Sequence, residues 1–592
     1  MLFSQTRPRV ALAATATLCA SFALSLALAP AAFADDAAAQ GTQETFYSSK
    51  TPYAAQGSTA DYQQVPAGFS QIYTEALARH GARALSSFKY DSLTQQLWAQ
   101  AESENALTPL GATLGPETAA LTAANNLLGY GNLSGLGATQ HQQIGARAVE
   151  RMPDFFDQVV ASDDVIELES SGEPRATESG ENFAAGLVAA NPALAAKLPT
   201  TMLESPETLH FHDQDFNQDY MDYEESDLVA DSVAAIWDQP HSKEVSRHVL
   251  ERLYTADFVD RLAAGDYHFE DPKGKTTIDN EVDAAMMLYN LYIIAPDLVE
   301  EGDWDFDQYL QPEDAEWFAY LLDTEDFYSK GPAFAGSDIT YKMATPLLQE
   351  FFDGIDARLA GSNVAATFRF AHAETIVPFA ALLQLPGSEQ PVTADSPYTY
   401  ATNAWRGETV TPMAANVQWD VYSNPAGQTI MRMLYNEKEI TFNSSCQPLE
   451  AGSHYYNVSE VKRCLLGIAV PETSTPDVNT PDVNTPDVST PDVSTPDVST
   501  PDVSTPDVST PVVSTPAVST PAVSTPAVST DPVASTAVNT AVNHAANTAA
   551  SAELAETGAQ LGTMPALIAL FLLAGIALRM VQRKRNSHAD LS

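Results

Sequence analysis

The chain has 592 residues, and its 77 acidic side chains outnumber the 29 basic ones, which gives a formal charge of −48 at pH 7. Such an excess of negative charge disfavours binding to nucleic acid, and at long range it repels any polyanionic ligand. A phosphate-binding site in this protein therefore requires a local concentration of arginine, lysine and histidine.

The amino terminus has the pattern of a secretory signal. Arg7 and Arg9 precede a stretch rich in Leu and Ala, which ends in the Ala-Phe-Ala tripeptide at 32–34, a site of the kind that signal peptidase cuts. We therefore expect residues 1–34 to be a signal peptide. The alternative, a transmembrane anchor, is disfavoured because Ala and Ser interrupt the apolar run and a cleavage site ends it.

The carboxyl terminus, residues 551–592, resembles a cell-wall sorting signal of Gram-positive surface proteins. The Leu-Ala-Glu-Thr-Gly pentapeptide at 554–558 is followed by an apolar stretch and then by a basic tail. A sortase would cut between Thr557 and Gly558 and join the protein to peptidoglycan. The other interpretation is a plain membrane span, since the apolar stretch approaches the roughly 20 residues that a spanning helix needs. Both interpretations tether the protein outside the cell.

Residues 471–550 are interpreted as a stalk rich in Pro, Thr, Ser and Val. Within them, residues 475–529 repeat the pentad Thr-Pro-x-Val-Ser/Asn. Proline at every fifth position prevents regular helix and favours an extended chain of about 3.1 Å per residue. We expect a semi-rigid spacer without a catalytic role.

The remaining segment, residues 35–470, is too long for one ordinary domain and indicates a two-part catalytic unit. It contains two cysteines, Cys446 and Cys464, because Cys19 leaves with the signal peptide. In an oxidising compartment such a closely spaced pair favours a disulfide over a metal site, although both remain open.

The first chemical motif is Arg79-His80-Gly81-Ala82-Arg83, which follows a short run, Ile72 to Ala78, that can form a strand. A strand that leads into a glycine turn places His80 and both arginines beyond its carboxyl end, where open α/β sheets bind ligands. Guanidinium groups match phosphate oxygens, and a neutral imidazole between them can attack phosphorus. The alternative is a surface turn that happens to contain these residues.

The second motif supplies what the first lacks. After an apolar run, His372 offers another imidazole to phosphate oxygens, and Glu374 offers a carboxylic acid that can protonate a leaving alkoxide. Acid catalysis of this kind typically contributes about 10²- to 10⁴-fold in rate. Alone, His-Ala-Glu is a weak pattern, because an acidic residue near a helix N-terminus is common.

A third segment contributes another arginine. Residues 165–168 alternate as a strand does, and a Gly-Glu-Pro turn leads from them to Arg175. Ser179 is expected to cap the helix that follows. Arg175 thus follows a strand and precedes a helix, although taken alone it would be an ordinary surface arginine.

Together these segments resemble the histidine acid phosphatases over about residues 68–466, and within them the multiple inositol-polyphosphate phosphatase branch. The family's R-H-G-x-R signature is matched at 79–83, its R-x-x-x-S-x-x-x-F-x-x-G-L segment at 175–187 and its H-A-E motif at 372–374. Most histidine acid phosphatases carry H-D at the last site, so H-A-E is similar to the inositol-polyphosphate branch. Residues 84–87 depart from the Tyr-Pro-Thr of animal members, and Lys89 lies one position away from a family lysine.

The resemblance implies a histidine-phosphatase-like α/β core, formed by residues 35–190 and 336–470. It implies a mainly helical cap domain, residues 191–335, inserted over the active site. Helical periodicity at 245–253 and 282–291 agrees with such a cap. The substrate preference is expected to be set there.

The resemblance also implies the roles of the site residues. His80 would attack phosphorus to form a phosphohistidine, and Glu374 would protonate the leaving inositol oxygen. The residues implied to hold the scissile phosphate are Arg79, Arg83, Arg175 and His372, with Lys89 as a further contact. We expect neither metal nor other cofactor, because guanidinium groups compensate the charge that Mg²⁺ compensates in other phosphoryl-transfer sites.

The expected substrate is an inositol polyphosphate such as inositol hexakisphosphate (phytate). Two alternatives stay open: a phosphatase of broad range that acts on sugar phosphates or nucleotides, and a wall-anchored binding protein without turnover. The presence of every reactive group in the motifs favours an enzyme over the binding protein.

A chain that ends near Val470 should be soluble and keep the specific activity of the full mature chain, because the repeat and the sorting signal are expected to be spacer and anchor. Phosphate release per mole of protein compares the two, with circular dichroism as the check on folding. Loss of activity in a folded shortened chain would show that the repeat contributes to the site.

Overall fold

The computed structural model describes residues 44–467. The predicted signal peptide, repeat stalk and sorting signal lie outside the described residues. Within residues 44–467, none of the helices is both long and apolar enough to span a bilayer.

The described chain forms one large mixed sheet and a small two-stranded ribbon. The strands are β1 Ser70–Arg79, β2 Val165–Ser170, β3 Leu203–Glu204, β4 Phe269–Glu270, β5 Thr277–Ile278, β6 Val364–Ala371, β7 Asn416–Ser423, β8 Thr429–Tyr435, β9 Lys438–Ile440 and β10 Tyr456–Asn457. The large sheet has the order β10-β8-β7-β1-β6-β2-β3, with β9 also paired to β8, whereas β4 and β5 form the ribbon.

Helices surround this sheet and fill the long connection between β3 and β6. They are α1 Lys89–Ser103, α2 Gly111–Leu128, α3 Gly135–Arg151, α4 Pro153–Ala161, α5 Pro174–Ala190, α6 Pro206–Leu209, α7 Gln218–Glu224, α8 Asp227–Trp237, α9 Pro240–Leu253, α10 Ala256–Ala263, α11 Glu281–Ile294, α12 Pro312–Ser329, α13 Thr345–Leu359, α14 Ala373–Leu383, α15 Gly407–Val410 and α16 Val458–Leu466. The architecture confirms the predicted α/β fold class.

The centre of the sheet positions the predicted motifs. Strands β1 and β2 both pair with β6 in parallel, with Arg79 opposite Ala371 and Ser170 opposite Phe370. Because parallel strands end at the same edge of a sheet, the residues that follow β1, β2 and β6 meet there. The strands expected before His80 and before Arg175 are present, and the apolar run before His372 forms β6.

Burial explains why β6 lies at the centre. From Ala365 to Ala371 every residue of this strand is buried, as expected for a parallel strand that is covered on both faces. On the other side of β1 the pairing becomes antiparallel, first with β7 and then from β7 to β8.

The connection between β3 and β6 is mostly helical. Helix α11 is buried on every face, which is typical of a helix inside a core rather than on a surface. Asn280 caps its start by accepting hydrogen bonds from the N–H groups of Val282 and Asp283. Helix α12, in the same connection, reaches the carboxyl edge of the sheet at Lys330. The limits predicted for a separate cap domain stay a prediction.

The prediction that Ser179 caps a helix is wrong. Helix α5 already begins at Pro174, because proline at the first helical position has a suitable φ and needs no partner for a missing N–H. Ser179 lies inside the helix, where its hydroxyl donates to the carbonyl of Arg175 at 2.7 Å and accepts from the N–H of Gly81 at 3.1 Å. It therefore joins α5 to the turn after β1.

A disulfide links the loop after β9 to α16. Cys446 and Cys464 are joined, with their Cα atoms 5.2 Å apart. The bond attaches the last helix of the described chain to the loop after β9, and this helix, α16, packs beside β8 and β10.

Helices α3 and α5 approach each other through glycine. A Cβ atom built on Gly186 would lie 2.0 Å from the carbonyl oxygen of Gln142, and one on Gly145 would lie 2.3 Å from that of Phe183. Both obstacles are backbone atoms, so a side chain at either position would push the helices apart. Since Arg175 lies in the first turn of α5, this contact also sets the position of that guanidinium.

Gly186→Ala should lower the midpoint of thermal unfolding, since overpacking of about 1–3 kcal/mol exceeds the roughly 1 kcal/mol that alanine gains over glycine in a helix. Gly180→Ala is the comparison on the same helix, because the atoms nearest to its new Cβ belong to side chains, those of Met202 at 2.3 Å and Phe370 at 2.7 Å, and none of them to the backbone. Calorimetry compares the two variants. A Gly186→Ala protein as stable as the Gly180→Ala protein would contradict this account of the helix contact.

Candidate active site

The backbone of His80 is fixed by the end of β6 and by the loop that precedes β7. Its N–H donates to the carbonyl of Ala371 at 2.9 Å, and its carbonyl accepts from the N–H of Ala414 at 3.0 Å. The next two N–H groups are bound as well, that of Gly81 by Ser179 and that of Ala82 by the side-chain oxygen of Gln140 at 2.9 Å. The turn that carries His80 is therefore rigid.

The side chain of His80 is held as a neutral imidazole with a defined proton position. Its Nδ1 lies 2.9 Å from the carbonyl oxygen of Gly81. A carbonyl can only accept a hydrogen bond, so Nδ1 carries the proton and Nε2 keeps its lone pair. Burial lowers the pKa of His80 well below its usual value, and the nearby Arg175 and Arg79 lower it further. Such an imidazole is available as a nucleophile.

His372 follows β6 and faces His80 across the site, with the ring centroids 5.6 Å apart. Nη2 of Arg175 donates to Nδ1 of His372 at 3.1 Å, and Nε2 of His372 lies 2.8 Å from the hydroxyl of Ser171. Since arginine only donates, neutral His372 carries its proton at Nε2. The residues after β6 and β2 thus form one hydrogen-bonded unit.

Arg79 and Arg83 line the cavity in front of His80. Nη1 of Arg79 donates to the carbonyls of Ser49 and Thr411, which hold this guanidinium in a fixed place. Nη1 of Arg83 donates to the carbonyl of Ala84 at 2.7 Å. Both side chains are buried, so their charge acts on the cavity through little water.

Lys50 is a further cation in the cavity, which sequence reasoning missed. It ends the short 3₁₀ helix Ser48–Lys50, and its Nζ donates to the hydroxyl of Ser49 at 3.2 Å. Burial lowers the pKa of Lys50 to about 7, with further lowering by Arg79 and Arg83. No pattern around Lys50 distinguishes it from other lysines in the sequence.

Asp323 on α12 fixes the segment that carries Lys50. Its Oδ1 accepts from the hydroxyl of Ser48 at 2.5 Å, and its Oδ2 accepts from the hydroxyl of Tyr400 at 2.6 Å and the N–H of Gly407 at 2.9 Å. Three distant parts of the chain therefore meet at one buried carboxyl group.

Glu374, in the first turn of α14, is paired with a second unpredicted cation. Nζ of Lys330 lies 3.1 Å from its Oε1 and 3.2 Å from Oδ1 of Asp326. Burial raises the pKa of Glu374, but Lys330, then His212 and His372, outweigh burial and hold it well below its usual value. In the free protein Glu374 is therefore a carboxylate.

Lys89 lies at the start of α1 and is not among the residues that line the cavity. It is buried, its Nζ is 4.9 Å from the centroid of the Tyr90 ring, and its charge lowers the pKa of Asp271 in the β4–β5 turn. Its role as a phosphate contact stays a prediction.

The structure thus brings together Arg79, His80, Arg83, Arg175, His372 and Glu374 at one edge of the sheet. A neutral nucleophile, four buried cations and three carboxyl groups, those of Glu325, Asp326 and Glu374, line one cavity. The overall charge of the protein is strongly negative. The arrangement can bind a phosphate ester, attack its phosphorus and exchange a proton with the ester oxygen.

Comparison with known proteins agrees with this geometry. Residues 73–436 match the model of the histidine phosphatase superfamily (branch 2). The chain therefore belongs to that superfamily.

Two relatives narrow the class to the multiple inositol polyphosphate phosphatases. The Bifidobacterium longum enzyme of that name, solved in complex with inositol hexasulfate, is 40% identical, with a TM-score of 0.67 over 71% of this chain and 97% of that chain. Multiple inositol polyphosphate phosphatase 1 of Gallus gallus is 23% identical over 401 residues, or 66% of this chain and 81% of the relative. A phytase from D. castellii, 15% identical with a TM-score of 0.52 over 71% of this chain and 84% of its own, shares the fold.

Lys50→Met should remove the pH dependence of anion binding near neutrality. The charge of sulfate is constant around pH 7, and a bound sulfate favours the protonated form of the Lys50 amine. Its affinity should therefore fall in the wild type as the pH rises through about 7, the pKa of Lys50 in the free protein. His80 and His372 have pKa values well below their usual range, so they stay neutral there.

Calorimetric titration with sodium sulfate between pH 5.5 and 8.5 measures this change. Lys342→Met is the matched control, since Lys342 is an exposed lysine 3.6 Å from Asp219. The assignment is wrong if Lys50→Met retains the inflection of the wild type.

Proposed function

We propose that this protein is a phosphomonoesterase that hydrolyses inositol polyphosphates, phytate among them, through a phosphohistidine intermediate. The observation that carries the proposal is the neutral His80, whose unprotonated Nε2 belongs to a cavity lined by buried cations. The names of the relatives from Bifidobacterium longum and Gallus gallus support the substrate class.

Substrate binding follows from the charges of the cavity. Arg79, Arg83 and Lys50 line it, and Arg175 is hydrogen-bonded to His372 beside it. These cations offer several N–H donors to one phosphate group. A phosphoryl group in transfer needs such donors, because they compensate the negative charge on its oxygens. Because burial strengthens their field at short range, they can oppose the repulsion of the acidic surface.

The first chemical step transfers the phosphoryl group to His80. The lone pair of Nε2 forms the bond to phosphorus while the bond from phosphorus to the inositol oxygen breaks. The imidazole gains positive charge in this step, and the carbonyl of Gly81, which accepts from Nδ1–H, stabilises that charge. A proton on Glu374 passes to the inositol oxygen.

The second step returns His80 and Glu374 to the states that they have when the ester is bound, and Glu374 loses its proton again as phosphate leaves the cavity. Water gives a proton to the carboxylate of Glu374 and attacks the phosphohistidine, the bond from Nε2 to phosphorus breaks, and inorganic phosphate leaves. The fixed tautomer of His80 lets the same nitrogen serve in both steps.

The ionised state of Glu374 in the free protein makes its proton part of substrate binding. Lys330 stabilises the carboxylate, whereas the negative charges of a bound polyphosphate oppose that effect. Binding of the ester therefore raises the affinity of Glu374 for a proton. Glu374 is therefore protonated when the ester that needs its proton is bound.

Secretion and sortase-mediated attachment to the peptidoglycan of a Gram-positive bacterium complete the proposal. The supporting observations are the cleavage-type site at 32–34, the repeat at 475–529 and the pentapeptide at 554–558. Digestion of cell walls with a muramidase should release a protein that boiling in detergent does not. Release by detergent alone would indicate a membrane span instead.

Hydrolysis of a panel of phosphate esters tests the substrate class. The mature chain should have its highest kcat/KM for inositol hexakisphosphate and release several phosphates from each molecule. Equal or higher kcat/KM for sugar phosphates or nucleotides would favour a broad-range phosphatase. A folded protein that releases no phosphate would be a binding protein.

Glu374→Gln should slow hydrolysis most for esters with poor leaving groups. Glutamine cannot donate a proton as an acid does, so inositol esters should lose roughly 10²- to 10⁴-fold in kcat/KM. The phenolate of p-nitrophenyl phosphate needs little protonation and should suffer much less.

His372→Ala is the comparison variant for this test, because His372 is predicted to contact the phosphate itself and its loss should slow both esters similarly. Measurement of kcat/KM for both esters in both variants separates the roles. If Glu374→Gln slowed the two esters equally, Glu374 would be a positioning residue and not the general acid.

A further inference from the structure

A cluster of possible metal ligands lies beside the active site and has no part in the proposed mechanism. His210, His212 and Asp213 present ligand atoms that all lie within 4.8 Å of one another, and within residues 44–467 no other group of three His, Cys, Asp or Glu residues does so. The ring centroid of His210 is 4.9 Å from that of His372.

The two imidazoles have unused nitrogens. His212 is 6% exposed, and neither of its ring nitrogens has a hydrogen-bond partner in the structure. Nε2 of His210 is also buried without a hydrogen bond, 3.7 Å from Oδ2 of Asp213. A buried polar group without a partner costs about 1–3 kcal/mol, so two neighbouring cases indicate that a ligand belongs there.

The local fold holds the cluster in place. Phe211, between the two histidines, is buried in the core, so the imidazoles flank an anchored side chain. The carbonyl of Phe211 accepts from the side chain of Asn217 at 2.7 Å, and the carbonyl of Leu209 accepts from the hydroxyl of Thr375 at 2.8 Å. The second contact joins the cluster to α14, next to Glu374.

We propose that His210, His212 and Asp213 bind a divalent transition metal ion of the class of Zn²⁺ or Cu²⁺. Imidazole nitrogen suits these ions, whereas Mg²⁺ and Ca²⁺ prefer sets of oxygen ligands. The carboxylate beside His210 favours a cation over a phosphate oxygen, which it would repel. Three protein ligands leave a position for water, as in open zinc sites.

The distances agree with one ion shared by the three side chains. Ligand atoms bound to zinc at about 2.0–2.2 Å in a tetrahedral arrangement lie roughly 3.4 Å apart, and Nε2 of His210 and Oδ2 of Asp213, 3.7 Å apart, are close to that separation. The 4.8 Å span of the whole group has to shorten by about 1.4 Å to reach the same geometry. Asp213 can supply it, because its side chain is 36% exposed.

Titration calorimetry with Zn²⁺ tests this proposal on the full mature chain, prepared without a histidine tag and freed of metal by dialysis. One ion should bind per chain, and Mg²⁺ should not compete. His210→Ala, His212→Ala and Asp213→Asn should each weaken zinc binding by more than the roughly tenfold that loss of even an outer-shell partner costs. Because zinc binding is measured directly, the result does not depend on the proposed hydrolytic function.

His268→Ala is the matched control, since His268 pairs with Asp279 on the surface outside this cluster, and its zinc binding should equal that of the wild type. Asp213→Asn keeps the size of a partly exposed side chain and should leave the fold intact, so weaker zinc binding by this variant is not explained by misfolding. The proposal is wrong if the wild type binds no zinc, or if the three variants bind it as the wild type does. Unchanged zinc binding with weaker sulfate binding would make the cluster an anion subsite.

Discussion

The parallel pairing of β1 and β2 with β6 is the constraint on which the rest of the structure depends. It brings the ends of three strands, widely separated in the sequence, to one edge of the sheet. His80 follows the first strand, His372 follows the last, and Arg175 lies in the first turn of the helix after β2. A one-residue change in the register of any strand would turn its side chains to the opposite face, so register and site are set together.

Burial then determines the chemistry of these residues. The chain carries a formal charge of −48, yet Arg79, Arg83, Lys50 and Lys330 line one cavity. With little water between them, these cations act strongly on their neighbours: Arg79 and Arg83 help to keep His80 neutral, while Lys330 keeps Glu374 ionised until a polyanion arrives. Exclusion of water raises the free-energy cost of burying these charges, and it also strengthens their attraction for a bound phosphate.

Much of this site could be predicted from the sequence, because each motif lies within one short segment in which a strand leads into a turn or a helix. Arg79, His80, His372 and Arg175 needed only a strand followed by a turn or helix. Lys50 and Lys330 were missed, since they reach the cavity from the amino-terminal segment and the helical connection, through tertiary contacts that no short pattern encodes. The prediction for Ser179 failed for a local reason, because the helix already begins at Pro174. Ser179 is therefore inside the helix, where its hydroxyl binds the N–H of Gly81.

The central claim, that Nε2 of His80 forms a covalent bond to phosphorus, is tested most directly by trapping the phosphoenzyme. Radiolabelled inositol hexakisphosphate is mixed with the mature chain and quenched in alkali, in which phosphohistidine survives, and the labelled peptide is identified. The account predicts label on the peptide that contains His80, and neither label nor turnover in a folded His80→Ala protein. Label on another residue, or a large fraction of wild-type activity in His80→Ala, would contradict it.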